Sequence, residues 1–208
     1  MATRLQPFDP ASGHSALANA IFWGKSRAHM LRRAALNALS PHPPIVRATG
    51  GGESLAVDES PLHTAADPRE RALELGKIQN LRVAARAIDG ILLDRGRIFS
   101  FWRAVGRPTR AKGYVIGREL RQGCMVPTVA GGICQLTNAL SRVAQAAGMD
   151  IVERHRHSAA VDGLVIDDTT DATVFWNYVD FRFRATASVR LSAHLTENAL
   201  IVGLEKPR

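Results

Sequence analysis

The order of its periodic segments is the feature of this 208-residue sequence that most constrains its fold. Apolar residues recur at three- and four-residue spacing over residues 17–39, 68–89 and 133–147, which is helical periodicity. Two-residue alternation, the period of a strand, follows mainly after residue 150. Helices first and strands later are typical of α+β domains. The sequence therefore predicts an α+β fold with N-terminal helices, a central helix beginning at Gly132–Cys134 and a mainly antiparallel C-terminal sheet.

Residues with strong positional preferences mark the ends of the predicted elements. The second helix has Asp67 at its cap, Pro68 at its first position and Glu70 in its first turn, and Gly90 follows its last residue. Gly148 ends the third helix in the same way. The predicted strands are Arg97–Phe101, Ile151–His157, Ala172–Phe183, Ala187–His194 and Leu200–Leu204.

The first 50 residues differ in composition from the rest, since they carry six Lys or Arg and a single acid, Asp9. An amphipathic helix in this region either docks on its own domain or lies on a membrane surface or a partner. Three prolines between residues 41 and 44 and the glycines at 50–52 predict a linker after that helix. We therefore predict two parts, with residues 1–66 as basic helix and linker and residues 67–208 as the main domain.

Composition bounds the class of function. The formal net charge of +8 and the 46% of hydrophobic residues fit a packed core with an anionic partner. Basic residues are scattered and aromatic residues make up only 6%, so nucleic-acid binding is not predicted. No run of about 18 apolar residues and no secretion-signal pattern occurs. These features predict no transmembrane segment, a cytoplasmic location and at most peripheral membrane contact.

Cys134 is the leading candidate nucleophile. It follows Gly131 and Gly132 at the predicted start of the third helix, where unpaired N–H groups and the helix dipole favour a thiolate. At about 100° per residue, Cys134 lies opposite the apolar stripe of that helix. Its side of the helix also carries the polar residues Asn138, Ser141 and Gln145. The other cysteine, Cys124, leaves open a disulfide with Cys134, which would abolish the nucleophile.

A pair of histidines supplies candidate bases for this thiol. In a strand over residues 151–157, Glu153, His155 and His157 project to one face. The short connection after the helix makes the strand its neighbour, so an imidazole could meet the thiol. Asp171 is the first candidate to orient that imidazole, with Asn177 and Asp180 as alternatives. Two other interpretations stay open: the histidines are ordinary sheet residues, or they bind zinc together with Cys134 or a carboxylate.

Several ordered motifs together resemble the VanW family. They are Phe99-Ser100-Phe101, Gly106, Gly113-Tyr114, Gly132-Ile133-Cys134-Gln135, Glu153-Arg154-His155-Arg156-His157-Ser158 and Asp171-Ala172-Thr173-Val174. The family is named for a component of glycopeptide-resistance clusters, and many members are bacterial envelope proteins. Its Glu-Arg-x-x-His-Ser motif falls on residues 153–158, which favours His157 over His155 as the functional imidazole. The family's usual Phe-Ser-Phe-Asn has Trp102 in the last position here.

The resulting prediction is a cysteine-dependent acyltransferase or amide hydrolase acting on a small molecule or a peptide related to the bacterial cell wall. The predicted catalytic residues are Cys134, His157, His155, Asp171 and Gln135, with Gln135 and backbone N–H groups near an oxyanion. The predicted substrate contacts are Gly131, Gly132, Arg154 and Ser158. No cofactor and no metal ion are included in this prediction. The alternative is a non-catalytic domain that binds a cell-wall fragment or a protein partner, in which the glycines serve close packing.

Overall fold

The computed structural model describes residues 24, 27–35, 44–65, 67–121, 124–156, 169–176 and 178–207. The chain divides into two compact units, Met1–His42 and Pro43–Arg208. In the first unit, residues 27–35 form a helix, α1, which lies within the predicted first helix. The fold class of the chain is α+β, as predicted, with all strand pairings antiparallel among the described residues.

The larger sheet of the second unit has five strands. Their order across the sheet is β1 (Val46–Arg47), β3 (Ile91–Leu93), β9 (Val189–Leu195), β10 (Ala199–Glu205) and β2 (Ser54–Pro61). The central hairpin of β9 and β10 confirms two predicted strands. Strand β2, however, lies in the segment that the sequence assigns to the linker. Four of the eight residues of this edge strand are exposed, and it pairs with β10 alone among the described strands, so its sequence shows little of the apolar alternation by which strands are recognised.

Two helices pack on this sheet. Helix α2 (Arg71–Ile88) packs on β9, and α4 (Cys134–Ala146) packs on β2 and β10. The predicted stripe of α4 is buried at Leu136, Leu140, Val143 and Ala144, with Ile133 buried just before the helix. Pro68–Glu70 forms a 3₁₀ turn, so the α-helix begins a few residues later than the cap signals predict. Gly90 ends α2 at a φ of 77°, as predicted.

A smaller sheet of three strands carries the residues that follow α4. Its order is β4 (Ile98–Ser100), β8 (Arg182–Arg184) and β7 (Asp150–Glu153), and the short helix α3 (Phe101–Val105) follows β4 directly. The prediction of one strand over Ala172–Phe183 is therefore wrong for most of its length. Phe175 and Val179 instead form an isolated bridge around a turn. The alternation reflects burial of residues such as Ala172 and Val174 against the core rather than a continuous ladder.

A separate two-stranded ribbon leads to the start of α4. Its strands are β5 (Ile116–Arg121) and β6 (Cys124–Val129), where the sequence predicts loops around an apolar piece at residues 114–116. The ribbon packs on α2, because Gly76 brings the helix backbone against the carbonyl of Ile116. This close approach fixes the position from which the chain enters the turn before Cys134.

Candidate functional site

The turn before Cys134 needs its two glycines for packing. Gly132 has a φ of 93°, which side chains rarely adopt, and a Cβ there would overlap the Cγ of Lys77. A Cβ on Gly131 would overlap the carbonyl of Gly117 in β5. Both predicted substrate contacts, Gly131 and Gly132, therefore lie against the protein itself. Because neither glycine has a side chain, α2, the ribbon and the turn can pack closely together.

Two polar residues of α2 hold this turn, and neither is among the residues predicted from the sequence. The Asn80 amide donates to the carbonyls of Gly131 and Val115, each at 3.0 Å, and accepts from the Val115 N–H at 2.8 Å. Lys77 lays its stem against Gly132 and donates from Nζ to the Leu62 carbonyl at 2.7 Å. Both residues are almost fully buried. A sequence signal for them does exist: Lys77 and Asn80 are polar residues next to Ile78 and Leu81 of the apolar stripe, where an apolar residue is expected.

Burial perturbs the Lys77 ammonium. Loss of hydration lowers the pKa of Lys77 to about 8, with the charge of Arg118 acting in the same direction and that of Glu74 opposing it. Glu74 accepts hydrogen bonds from the backbone N–H groups of Thr64 and Ala65 at 2.6 and 2.7 Å. Lys77 and Glu74 thus anchor the chain that follows β2, next to the turn that begins α4.

The Cys134 thiol is free, partly buried and at the first residue of α4. Its Sγ lies 3.6 Å from the Thr173 hydroxyl and 4.0 Å from the Val174 carbonyl oxygen. The backbone N–H groups of Gln135 and Leu136 donate to the carbonyls of Gly132 and Ile133 at 3.1 and 3.0 Å. These two donors of the first helical turn are therefore already in use, and among the described residues the thiol contacts a hydroxyl and a carbonyl.

In the described part of the chain, the polar side of α4 lies against residues 169–172. Asn138 accepts from the Ala172 N–H at 2.7 Å, and Gln145 donates to the Thr169 carbonyl at 3.1 Å. Ser141 is completely buried. Polar residues occupy this side because they bond to the backbone of residues 169–172, which covers it. Phasing of the helix correctly separates the two sides but gives no information on what lies over the polar one.

Gln135 binds the end of β2. Its Nε2 donates to the Ser60 hydroxyl at 3.1 Å and to the Pro61 carbonyl at 2.9 Å. These two bonds use both N–H groups of the amide. In this structure Gln135 therefore connects α4 to the edge of the larger sheet, whereas the sequence predicts a contact with an oxyanion.

Of the two candidate histidines, His155 lies in the described part of the chain, and His157 lies outside it, as does Ser158. The His155 Nε2 is 3.2 Å from the Glu153 Oε1, so these residues share a face as the alternation predicts. His155 also forms an isolated antiparallel bridge with Thr173, the partner of the Cys134 thiol. Among the described residues, the His155 ring contacts Glu153 and makes no hydrogen bond to the thiol.

The predicted orienting residue, Asp171, is buried with 3% of its surface exposed. Its carbonyl oxygen accepts a hydrogen bond from Arg154 at 2.9 Å. Arg154, a predicted substrate contact, thus joins the strand that precedes residue 157 to the segment that contains Thr173. Asn177 lies outside the described residues, and the remaining alternative, Asp180, contacts Glu153 through its own N–H at 3.3 Å. Within the described ranges no three His, Cys, Asp or Glu residues are grouped to hold a metal ion.

Comparisons with known proteins all point to the same family. Residues 76–204 match the family model described as VanW like protein. The chain is 37% identical over 105 residues to the uncharacterized protein YoaR of Bacillus subtilis, which covers 50% of this chain and 34% of YoaR. It is 29% identical over 117 residues to the vancomycin B-type resistance protein VanW of Enterococcus faecalis, covering 52% of this chain and 40% of that protein. The matches thus span less than half of each relative.

No solved structure gives a significant match to the chain. None of the helices in the described ranges has the length and apolar character needed to cross a bilayer.

Proposed function

Because the chain belongs to the VanW-like family, we propose that it is a cysteine-dependent acyltransferase or amide hydrolase acting on a peptide or cell-wall-related substrate. The relative named as a vancomycin resistance protein directs attention to this substrate class. The observation that carries the proposal is the placement of the Cys134 thiol, which is partly exposed at the first residue of α4 and lies beside Thr173.

In the proposed reaction the Cys134 sulfur attacks a substrate carbonyl, and a carbon–sulfur bond forms. His157 accepts the thiol proton and returns it to the leaving amine or alcohol when the bond to that group breaks. Water or a second nucleophile then cleaves the thioester. Asp171 orients the imidazole. Gln135 has a positioning role in this scheme, because its amide is bound to Ser60 and Pro61.

The neighbourhood of residues 154–156 and 171–173 supports this assignment. The bridge places residue 155 opposite residue 173, and Arg154 binds the Asp171 carbonyl. In an antiparallel ladder, the next pair on the same face is two residues further along each strand. The proposal therefore requires residue 157 to lie opposite residue 171, on the side where Thr173 meets the thiol.

The test is turnover of a cell-wall peptide by the full chain and by its Cys134→Ala variant. We expect loss of turnover in Cys134→Ala and retention in Cys124→Ala, the matched control at the other cysteine. His157→Ala should also slow alkylation of the thiol by iodoacetamide near neutral pH, whereas His155→Ala should not. Undiminished turnover by a folded Cys134→Ala protein would refute cysteine-dependent catalysis.

A binding or accessory domain is the second candidate, and a specific observation favours it. Gly131, Gly132 and Gln135 all contact the protein itself, as a motif with a purely structural purpose would. This candidate predicts that the Cys134→Ala variant still binds the cell-wall peptide or protein partner with unchanged affinity. It also predicts that Cys134 is alkylated near neutral pH no faster than an ordinary thiol.

A further inference from the structure

Helix α1 carries apolar side chains that are open to solvent. Leu31 is 72% exposed, which is the highest exposed fraction among the large apolar residues that the structure describes. Ala28 and Ala35 are exposed as well. At about 100° per residue, these three residues lie within about 60° of one another around the helix axis. They form a narrow apolar stripe, and burial of this stripe against a partner would be favourable.

The sequence continues the spacing of this stripe on both sides of residues 27–35. Leu17, Ile21 and Leu39 recur at helical intervals from Ala28 and Ala35. The pattern therefore predicts an apolar stripe that is longer than the described helix. A long, narrow stripe of this kind is typical of a helix that lies along the surface of something else.

Basic residues flank the stripe on both sides. Arg27 and Arg32 are exposed, and they project about 60–80° to either side of the centre of the stripe. Arg33 makes an interaction within the protein, so Arg27 and Arg32 are the side chains assigned to a partner here. Residues 10–52 contain no Asp or Glu, and their basic residues are Lys25, Arg27, Arg32, Arg33 and Arg47. This segment therefore carries a net positive charge, which favours an anionic partner.

An anionic lipid surface suits the stripe and the charges together. Its headgroups attract arginines, and the boundary with the acyl chains, just below the headgroups, accepts apolar side chains. Long arginine side chains at the border of a stripe reach the headgroups while their stems stay in the apolar layer. A nucleic acid would bind the arginines through its phosphates but would leave Leu31 in water. The combination of stripe and flanking charge therefore favours a bilayer surface.

We propose that α1 binds the surface of an anionic phospholipid bilayer. The apolar stripe enters the boundary between headgroups and acyl chains through Leu31, and Arg27 and Arg32 bind the anionic headgroups. All of these residues belong to the first unit, Met1–His42. The binding requires neither the Cys134 thiol nor any other residue of the second unit, so it is independent of the proposed function.

Sedimentation of the full chain with unilamellar vesicles tests this binding. One set of vesicles contains phosphatidylglycerol and phosphatidylcholine in equal parts, and the other contains phosphatidylcholine alone. We expect saturable binding to the anionic vesicles that weakens with added salt, and binding to the neutral vesicles that is weaker by about tenfold or more. Leu31→Asp should lower the partition coefficient by about tenfold or more. Arg32→Gln should lower it by about fivefold.

Two variants of α2, in the second unit, are the matched controls. Leu75→Asp changes a leucine that is 54% exposed, and Arg86→Gln changes an exposed arginine. Both should bind the anionic vesicles as the wild type does, and so should Cys134→Ala, which lacks the proposed nucleophile. Should Leu31→Asp fail to fold by circular dichroism, Leu31→Ala decides, because it removes apolar area without adding a charge; it should weaken binding by about threefold or more.

Three outcomes would overturn the lipid surface as the partner. The first is absence of binding to the anionic vesicles or equal binding to both kinds of vesicle. The second is an equal loss of binding in Leu31→Asp and Leu75→Asp. The third is a wild-type dimer in sedimentation equilibrium that dissociates in Leu31→Asp and binds no vesicles, which would assign the stripe to a second copy of the chain.

Discussion

Replacing Gly132 by alanine tests whether the turn before Cys134 depends on packing against Lys77. An L-residue in the left-handed region costs about 1–2 kcal/mol, and the φ of Gly132 is 93°. The added Cβ also overlaps the Lys77 stem, so the ammonium group must leave the Leu62 carbonyl. Loss of a hydrogen bond from a charged group adds about 1.5–3 kcal/mol. We expect the free energy of unfolding to fall by about 2.5–5 kcal/mol in total.

Gly148→Ala is the matched control. Gly148 has a φ of 67°, yet nothing lies within 4 Å of the position that its Cβ would take. It therefore carries the backbone cost alone, about 1–2 kcal/mol. Urea unfolding of the full chain, followed by circular dichroism, compares the two variants. With a slope of about 1–3 kcal/mol per molar urea, the difference should separate their midpoints by about 1 M.

A double variant identifies the atom responsible. In a Lys77→Ala background the Cγ and Cδ that obstruct the new Cβ are gone and the Cβ of residue 77 remains, at 3.0 Å, so most of the excess cost of Gly132→Ala over Gly148→Ala should disappear. Equal destabilisation by Gly132→Ala and Gly148→Ala in the wild-type background would exclude a packing role for Gly132 against Lys77. An unchanged cost of Gly132→Ala after truncation of the Lys77 side chain would exclude it as well.

Two further predictions concern α2. Because the pKa of Lys77 is about 8 when folded and 10.5 when unfolded, the unfolded chain binds more protons between these values, and stability should rise with pH from about 8 to 10. The gain is on the order of 3 kcal/mol over the full interval, and unfolding titrations of Lys77→Met should lack it; an identical slope in that variant would exclude Lys77 as the source. Asn80→Ala removes three buried hydrogen bonds and should lower the free energy of unfolding by about 2–4 kcal/mol. Gln79→Ala, at its chain neighbour, should cost under about 1 kcal/mol in the same measurement.

The sequence predicts best those elements in which the apolar residues are also the buried ones. The stripe of α4 follows from spacing alone because each of its members is apolar and packs on the sheet. Strand β2 escapes prediction because half of its residues are exposed and its place in the sheet depends on backbone hydrogen bonds to β10 and on packing against α4. The residues of a strand do not by themselves identify the strand with which it pairs.

The site is harder to predict than the fold, because polar residues in it are buried. Lys77 and Asn80 would be assigned to solvent on their chemistry, yet they hold the turn through the carbonyls of Leu62 and Gly131. The choice of partner depends on where distant segments come to lie, and spacing along α2 does not specify that. The same holds for Gln135, whose amide binds residues far away in the chain.

The packing of the turn explains the glycines, the isoleucine and the glutamine of Gly-Gly-Ile-Cys-Gln. Gly131 and Gly132 admit their neighbours, Ile133 enters the core and Gln135 binds β2. Cys134 packs partly against the core, and among the described residues its sulfur makes weak hydrogen-bonding contacts with a hydroxyl and a carbonyl. A serine would make these contacts at least as well. If the motif were structural throughout, Cys134→Ser should keep every function of the chain, whereas a nucleophile requires the sulfur. Comparison of Cys134→Ser with the wild type in the peptide turnover assay, at equal stability, therefore separates the two proposed functions.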